Sequence, residues 1–229
     1  MTPRPLGSDE RRLAGRVQRR WPLVSAVGAL GLALLLGAVI AGRGGRLSID
    51  TEWMAELVEH RAPFWQVPAL VMNFVGGGWF GVFAVPVGIG VALLLARKPW
   101  ATLYFVAASV ASAGVVQLLK QLFGRARPED ILVVSDYGSF PSGHVANAAT
   151  IAVALGVILR RSWVWAAGVV YTLLMIASRT YLGAHWLTDT LGGVLVGAGV
   201  AVVLWAPFAL RLLAERHQRE NLTQAARDS

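Results

Sequence analysis

The chain has 229 residues, of which 55% are hydrophobic and 15% charged, with a net charge of +8 and a mean hydropathy of +0.56. Uncharged runs of about 18 residues or more exclude an ordinary soluble domain and predict membrane-spanning helices. The absence of cysteine excludes disulfides, thiolate metal sites and a cysteine nucleophile. The basic excess lies in tails and short loops, so topology control explains it better than a nucleic-acid partner does.

Residues 1–20 are polar and arginine-rich, with Arg4, Arg11, Arg12, Arg16, Arg19 and Arg20 against Asp9 and Glu10. They read as a cytoplasmic tail. The apolar run 21–42 is too long for the core of a secretory signal and predicts the first transmembrane helix. Residues 43–61 mix charges and place Ile49, Trp53, Met54, Leu57 and Val58 at helical spacing. A short amphipathic helix at the outer interface of the bilayer and a plain connecting loop fit this stretch equally. The uncharged run 62–96 is too long for one straight span. Pro63, Pro68 and Gly76-Gly77-Gly78 break its first half. An interfacial or re-entrant segment to about residue 75 is therefore expected, then a span over about 79–96. Further spans are expected at 99–119, 145–159, 162–178 and 190–210, followed by a cytoplasmic tail at 211–229.

The expected architecture is all-α: six transmembrane helices in one bundle over 21–210, with 43–75 extracytoplasmic or interfacial. Both termini are then cytoplasmic. The basic clusters at 1–20, 97–98, 160–161 and 211–219 share the inner side, as the positive-inside rule requires. Lys120, Arg125 and Arg127 fall outside against that rule, as a functional need for positive charge would explain.

Three motifs fall at the expected outer ends of spans. In Lys120-Gln-Leu-Phe-Gly-Arg-Ala-Arg127-Pro128 the two end cations are seven apart, close to one helical face. Pro128 tends to end the helix at Arg127. Such a pair can clamp an anion, or contact lipid headgroups. In Pro141-Ser142-Gly143-His144, Ser142 is a candidate N-cap. Free backbone N–H groups and a hydroxyl at a helix start can cradle an anion, and Gly143 allows close approach of a ligand. The same residues could serve only as a cap. The third motif runs from Ser178 and Arg179 to His185 and Asp189. Its imidazole and carboxylate are four apart, one above the other on a helix, where the carboxylate could fix the tautomer. A purely structural His–Asp pair is the alternative, although ionisable groups at membrane depth are usually functional. Two of the chain's four histidines, His144 and His185, thus lie beside arginine, serine and glycine.

Together these motifs resemble the signature of the type 2 phosphatidic acid phosphatase (PAP2) superfamily, membrane lipid phosphatases whose site is related to that of vanadium haloperoxidases. The pattern is Lys-x6-Arg-Pro, then Pro-Ser-Gly-His, then Ser-Arg-x5-His-x3-Asp, and every specified position is matched. The resemblance implies a phosphatase that needs no metal or other cofactor and forms a phosphohistidine. In it His185 attacks phosphorus, Asp189 orients His185, and His144 protonates the leaving oxygen and later activates water. Lys120, Arg127, Arg179, Ser142 and Gly143 hold the phosphate. The implied partner is a membrane lipid at the extracytoplasmic face of the cell membrane. Undecaprenyl diphosphate ranks first, followed by phosphatidylglycerophosphate and phosphatidic acid. A lipid phosphotransferase would use the same phosphohistidine. An anionic-lipid transporter would use the cations but not the second histidine, and a haloperoxidase suits a soluble chain.

Overall fold

A computed structural model describes residues 8–225, with side chains detailed for residues 20–216 and 218. Residues 1–7 and 226–229 of the two expected tails lie outside the described residues. All regular structure in the described part is helical.

The first helix, α1, runs Ser8–Gly42, beginning within the polar start and continuing through the apolar run. A short helix α2 follows at Ser48–Glu59, so of the two readings of 43–61 the helical one is realised. Its inward face carries Met54 and, unexpectedly, a buried Asp50. A turn at Pro63–Trp65 leads into α3, Gln66–Gly76. A single wide turn at Phe80–Ala84 then leads into α4, Val85–Leu95. The two halves of this run are bent by 50° around the glycine triplet, close to the expected break.

Helix α5, Pro99–Phe123, starts on proline, whose missing N–H costs nothing at the first turn. The Glu215 carboxylate accepts the free N–H groups of Trp100 (2.8 Å) and Ala101 (3.3 Å) there. The helix stops at Gly124, which adopts the left-handed conformation (φ 51°) and returns its N–H to the Lys120 carbonyl. Residues 124–142 form an irregular loop. Helices α6 (Gly143–Leu159), α7 (Ser162–Tyr181) and α8 (Leu187–Ala225) complete the chain. The last helix extends well past the expected end at 210, because residues 211–225 contain neither glycine nor proline to stop it.

Helices α6 and α8 form the centre, with α1, α5 and α7 packed around them. Small residues let the central pair meet. A Cβ at Gly197 would lie 2.2 Å from the Ala146 carbonyl oxygen, and one at Gly193 2.6 Å from that of Ser142. Hydroxyls tie the helices across the apolar core: Thr150 to Ser112 at 2.9 Å, and Tyr104 to the Ala201 carbonyl at 2.9 Å. Outward faces remain apolar, with Leu35, Val87, Leu95, Val110, Leu118 and Val169 exposed, as a hydrocarbon solvent requires.

Four helices are long and apolar enough to cross a bilayer, or five if the bent α3–α4 pair forms one span. Helix α6 has 17 residues and falls just short by length. The chain is therefore a multi-pass, all-helical membrane protein, and length and composition alone support four to five crossings rather than the expected six.

Candidate active site

The end of α5, the 124–142 loop, the start of α6, the α7–α8 turn and the start of α8 converge on His185. Its turn is closed by the Arg179 carbonyl, which accepts from the N–H groups of Ala184 (3.1 Å) and His185 (3.3 Å). Gly183 takes a left-handed conformation (φ 63°) there, and a Cβ on it would lie 2.4 Å from the Asp130 carbonyl oxygen. His185 is 2% exposed. Its Nδ1 lies 2.8 Å from the Ser139 carbonyl oxygen, an acceptor only, so Nδ1 carries the proton. Nε2 is then the lone-pair atom, 3.3 Å from Arg127 Nη1. Burial, then the charges of Arg179, Arg127 and Lys120, hold the imidazole well below its usual pKa, so the ring is neutral.

Asp189 lies 3.6 Å from His185 Nδ1, beyond hydrogen-bonding distance. His185 precedes α8 and is not stacked above Asp189 on one helix. The Ser139 carbonyl therefore fixes the tautomer, while Asp189 supplies a nearby charge. Its Oδ2 accepts the Trp186 N–H (2.9 Å) and its Oδ1 binds Arg125 Nη1 (2.6 Å). Arg125 in turn binds Asp50 Oδ2 (2.7 Å), Thr188 Oγ1 (2.9 Å) and the Gly45 carbonyl (2.9 Å). Thr188 donates its N–H (2.9 Å) and its hydroxyl (2.6 Å) to Asp50. Asp50, Arg125 and Asp189 form a buried, fully paired chain of charges that ties α2 to the base of the histidine turn.

Lys120 and Arg127 do meet at one point. Lys120 Nζ contacts both carboxylate oxygens of Asp136 (2.9 and 2.8 Å), and Arg127 Nη2 contacts Oδ1 (2.7 Å). Arg127 also donates to the carbonyls of Ala184 and Gly138. Arg179, 2% exposed, donates to Asn73 Oδ1 on α3, and its Nε has no partner.

Ser142 occupies the N-cap position of α6, but its hydroxyl makes no cap bond and, though fully buried, no other hydrogen bond among the described residues. A Cβ at Gly143 would meet only Val116 at 3.6 Å, so packing within the protein does not demand glycine there. His144 lies in the first turn of α6 and packs on Gly76 and Gly77. A Cβ at Gly77 would lie 1.8 Å from His144 Nε2.

The structure thus gathers Lys120, Arg127, Ser142, His144, Arg179, His185 and Asp189 around one region. It adds Asp50, Asn73, Gly77, Asp136, Ser139 and Thr188, which sequence reasoning missed, and gives Arg125 a partner set. Most of these reach partners far along the chain, and no local spacing marks them. Asp136 had one signal, as the lone acid in the 131–140 stretch. Glu129, exposed at the start of the loop, pairs with Arg46 at 3.3 Å. Beside the site a cavity of about 510 Å³ is lined by Gly45, Arg46, Met54, Val58, Arg127 and Trp186.

Residues 101–211 match the family model described as the PAP2 superfamily. An undecaprenyl-diphosphatase of Sulfolobus acidocaldarius is 37% identical over 67 residues, 29% of this chain and 32% of the relative. Phosphatidylglycerophosphatase B of Bacillus subtilis is 31% identical over 119 residues, 48% of this chain and 59% of the relative. The chain therefore spans less than two thirds of the length of the curated relatives it matches. Among solved structures, a transmembrane PAP2 type phosphatidylglycerolphosphate phosphatase from Bacillus subtilis superposes with a TM-score of 0.68 at 28% identity, covering 78% of this chain and 93% of that one. Aquifex aeolicus LpxE gives a TM-score of 0.62 at 24% identity, covering 69% of this chain and 95% of that one, a likeness of fold.

Proposed function

Because residues 101–211 place this chain in the PAP2 superfamily, we propose that it is a membrane lipid phosphatase that forms a phosphohistidine on His185. The observation that carries this reading is a pair of buried donors, Ser142 Oγ and Arg179 Nε, left without partners next to a neutral imidazole. Buried donors normally find acceptors, and a phosphoryl group would supply them.

In the proposed reaction His185 Nε2 attacks phosphorus, forming an N–P bond as the bond to the leaving oxygen breaks. His144 gives that oxygen a proton. Lys120, Arg127 and Arg179 offset charge on the equatorial oxygens, and Ser142 Oγ and the Gly143 N–H donate to them. Ser139 holds the proton on Nδ1, and the Asp189 charge favours the cationic ring that attack creates. His144 then takes a proton from water as the water breaks the N–P bond.

We further propose six crossings, counting α1, α4 with the turn before it, α5, α6, α7 and α8. Helix α6 is about 26 Å long at 1.5 Å per residue, a few ångströms short of a typical hydrocarbon core. Both termini and the Arg97-Lys98 and Arg160-Arg161 turns are cytoplasmic in this reading, and the site is extracytoplasmic. The substrate is a lipid bearing a terminal phosphate. Undecaprenyl diphosphate and phosphatidylglycerophosphate, named for the two curated relatives, rank ahead of phosphatidic acid.

The test is phosphate release by purified protein from these three lipids without an added acceptor and with EDTA present, beside His185→Ala. Release that survives EDTA and vanishes in the variant is expected. Turnover that requires an acceptor would make the protein a phosphotransferase. Undiminished release by the variant would end the nucleophile assignment.

A further inference from the structure

The phosphate clamp of the proposed site already holds an anion. Asp136 bridges Lys120 Nζ (2.9 and 2.8 Å) and Arg127 Nη2 (2.7 Å), the two cations that the proposed reaction assigns to phosphate. The partners differ in exposure. The Lys120 side chain is 3% exposed and that of Arg127 12%, whereas that of Asp136 is 60% exposed. A buried lysine needs a counter-charge, but the carboxylate that provides it is open to water on its other side. Asp136 also lies on an arch fixed at both feet, by Leu132 N–H to the Leu182 carbonyl and Ser139 N–H to the Arg125 carbonyl, both 2.9 Å. Between them Val134, Asp136 and Tyr137 are exposed. The carboxylate is open to water while the cations it pairs with are buried, and Arg127 Nε also holds the Asp136 carbonyl (3.2 Å), so its displacement would be a movement of the side chain alone.

We propose that Asp136 sets an affinity threshold at the clamp: a resident anion that phosphomonoesters and terminal diphosphates displace and phosphodiesters do not. This rests on the clamp reading of Lys120 and Arg127. A phosphodiester carries one negative charge, so displacing Asp136 exchanges one charge for one and offers no electrostatic return for the ligand's desolvation. A phosphomonoester carries about 1.5 to 2 negative charges at neutral pH and three terminal oxygens. It gains an extra charge against Lys120, Arg127 and Arg179 and can engage all three. Bulk phospholipid headgroups are phosphodiesters, and a site at a bilayer surface meets them far more often than its substrate. A charge threshold at the clamp keeps them out without a separate headgroup pocket.

The test uses purified full-length protein and measures binding by ligand-induced thermal stabilisation, so that it does not depend on turnover. The probes are glycerol 3-phosphate, a monoester, and glycerophosphoglycerol, a diester. Wild type is expected to bind the monoester and barely the diester. Asp136→Asn is expected to bind both probes about tenfold more tightly, which brings the diester into measurable binding. Asp136→Glu keeps the charge and should leave the diester as weakly bound as in wild type. Asp136→Ser serves as a second neutral variant should the asparagine protein not fold. Failure of the neutral variants to bind the diester any better than wild type, or loss of both ligands, would overturn the proposal, the latter by showing that Asp136 merely holds Lys120 in place. Lys120→Met binding the monoester as wild type does would instead overturn the clamp reading, and the proposal with it. Absence of turnover alongside the predicted binding pattern would count against the phosphatase reading alone.

Discussion

Burial and three nearby cations hold His185 neutral to well below the usual imidazole pKa of about 6.5. A group with a lowered pKa loses its lone pair only when pH falls through that lowered value. The nucleophile should therefore not produce an acid limb in kcat/KM near pH 6.5. Arg127→Gln removes one cation but not the burial, which is the larger cause, so any acid limb due to His185 should move upward while staying below the usual imidazole range. A pH–rate profile of both proteins checks this. Ser142 makes the complementary case. Its hydroxyl has no partner among the described residues, so Ser142→Ala should change folding stability by less than about 0.5 kcal/mol. Its kcat/KM should fall on the order of a hundredfold, as for loss of one transition-state donor. Thermal unfolding and initial rates together separate these effects. Asp136 behaves differently from either. Burial opposes its ionisation, but hydrogen bonds from Lys120 and the charges of Lys120 and Arg127 outweigh this and hold the carboxyl below its usual pKa. It is thus an anion throughout the working pH range.

At the level of elements, two segments with no motif residues turn out to support the site. Helix α2 delivers Asp50 to Arg125, and Arg125 holds Asp189. Asp50→Ala leaves a buried guanidinium with one carboxylate fewer and should destabilise the protein by about 3–5 kcal/mol, read as a lowered unfolding midpoint. The bend between α3 and α4 lays Gly77 against His144. Gly77→Ala would put a methyl group where the imidazole stands and should cut turnover at least tenfold while leaving most stability intact, since the ring can rotate away. The three motifs were readable because each is local: a helix end, a helix start and a turn. The pairings that complete them are not local. Asp50 and Arg125 are 75 residues apart, and Arg179 and Asn73 are 106 apart. One acid among several in residues 43–61 carries no mark of burial. The i,i+4 spacing of His185 and Asp189 also suggested a direct contact that the turn before α8 prevents, because helical geometry was assumed one turn too early.

For the whole molecule, hydropathy made the helical membrane class plain and placed most helix ends within a few residues. It did not separate a bent, glycine-broken helix from two elements, and it misplaced the end of α8, where charge was read as the end of a helix. The proposed sidedness makes a direct prediction, aided by the lack of native cysteine. A cysteine replacing the fully exposed Val134 should react with a membrane-impermeant maleimide on intact cells, and one replacing Arg160 should not. The reverse pattern would invert the topology.

The central claim, that His185 carries the phosphoryl group, is tested most directly by trapping it. Substrate labelled with ³²P at its terminal phosphate would be mixed with enzyme and quenched in alkali during turnover. The account predicts an alkali-stable, acid-labile label on the peptide containing His185, absent from His185→Ala. A label on another residue, or a fully active enzyme that never becomes labelled, would contradict it.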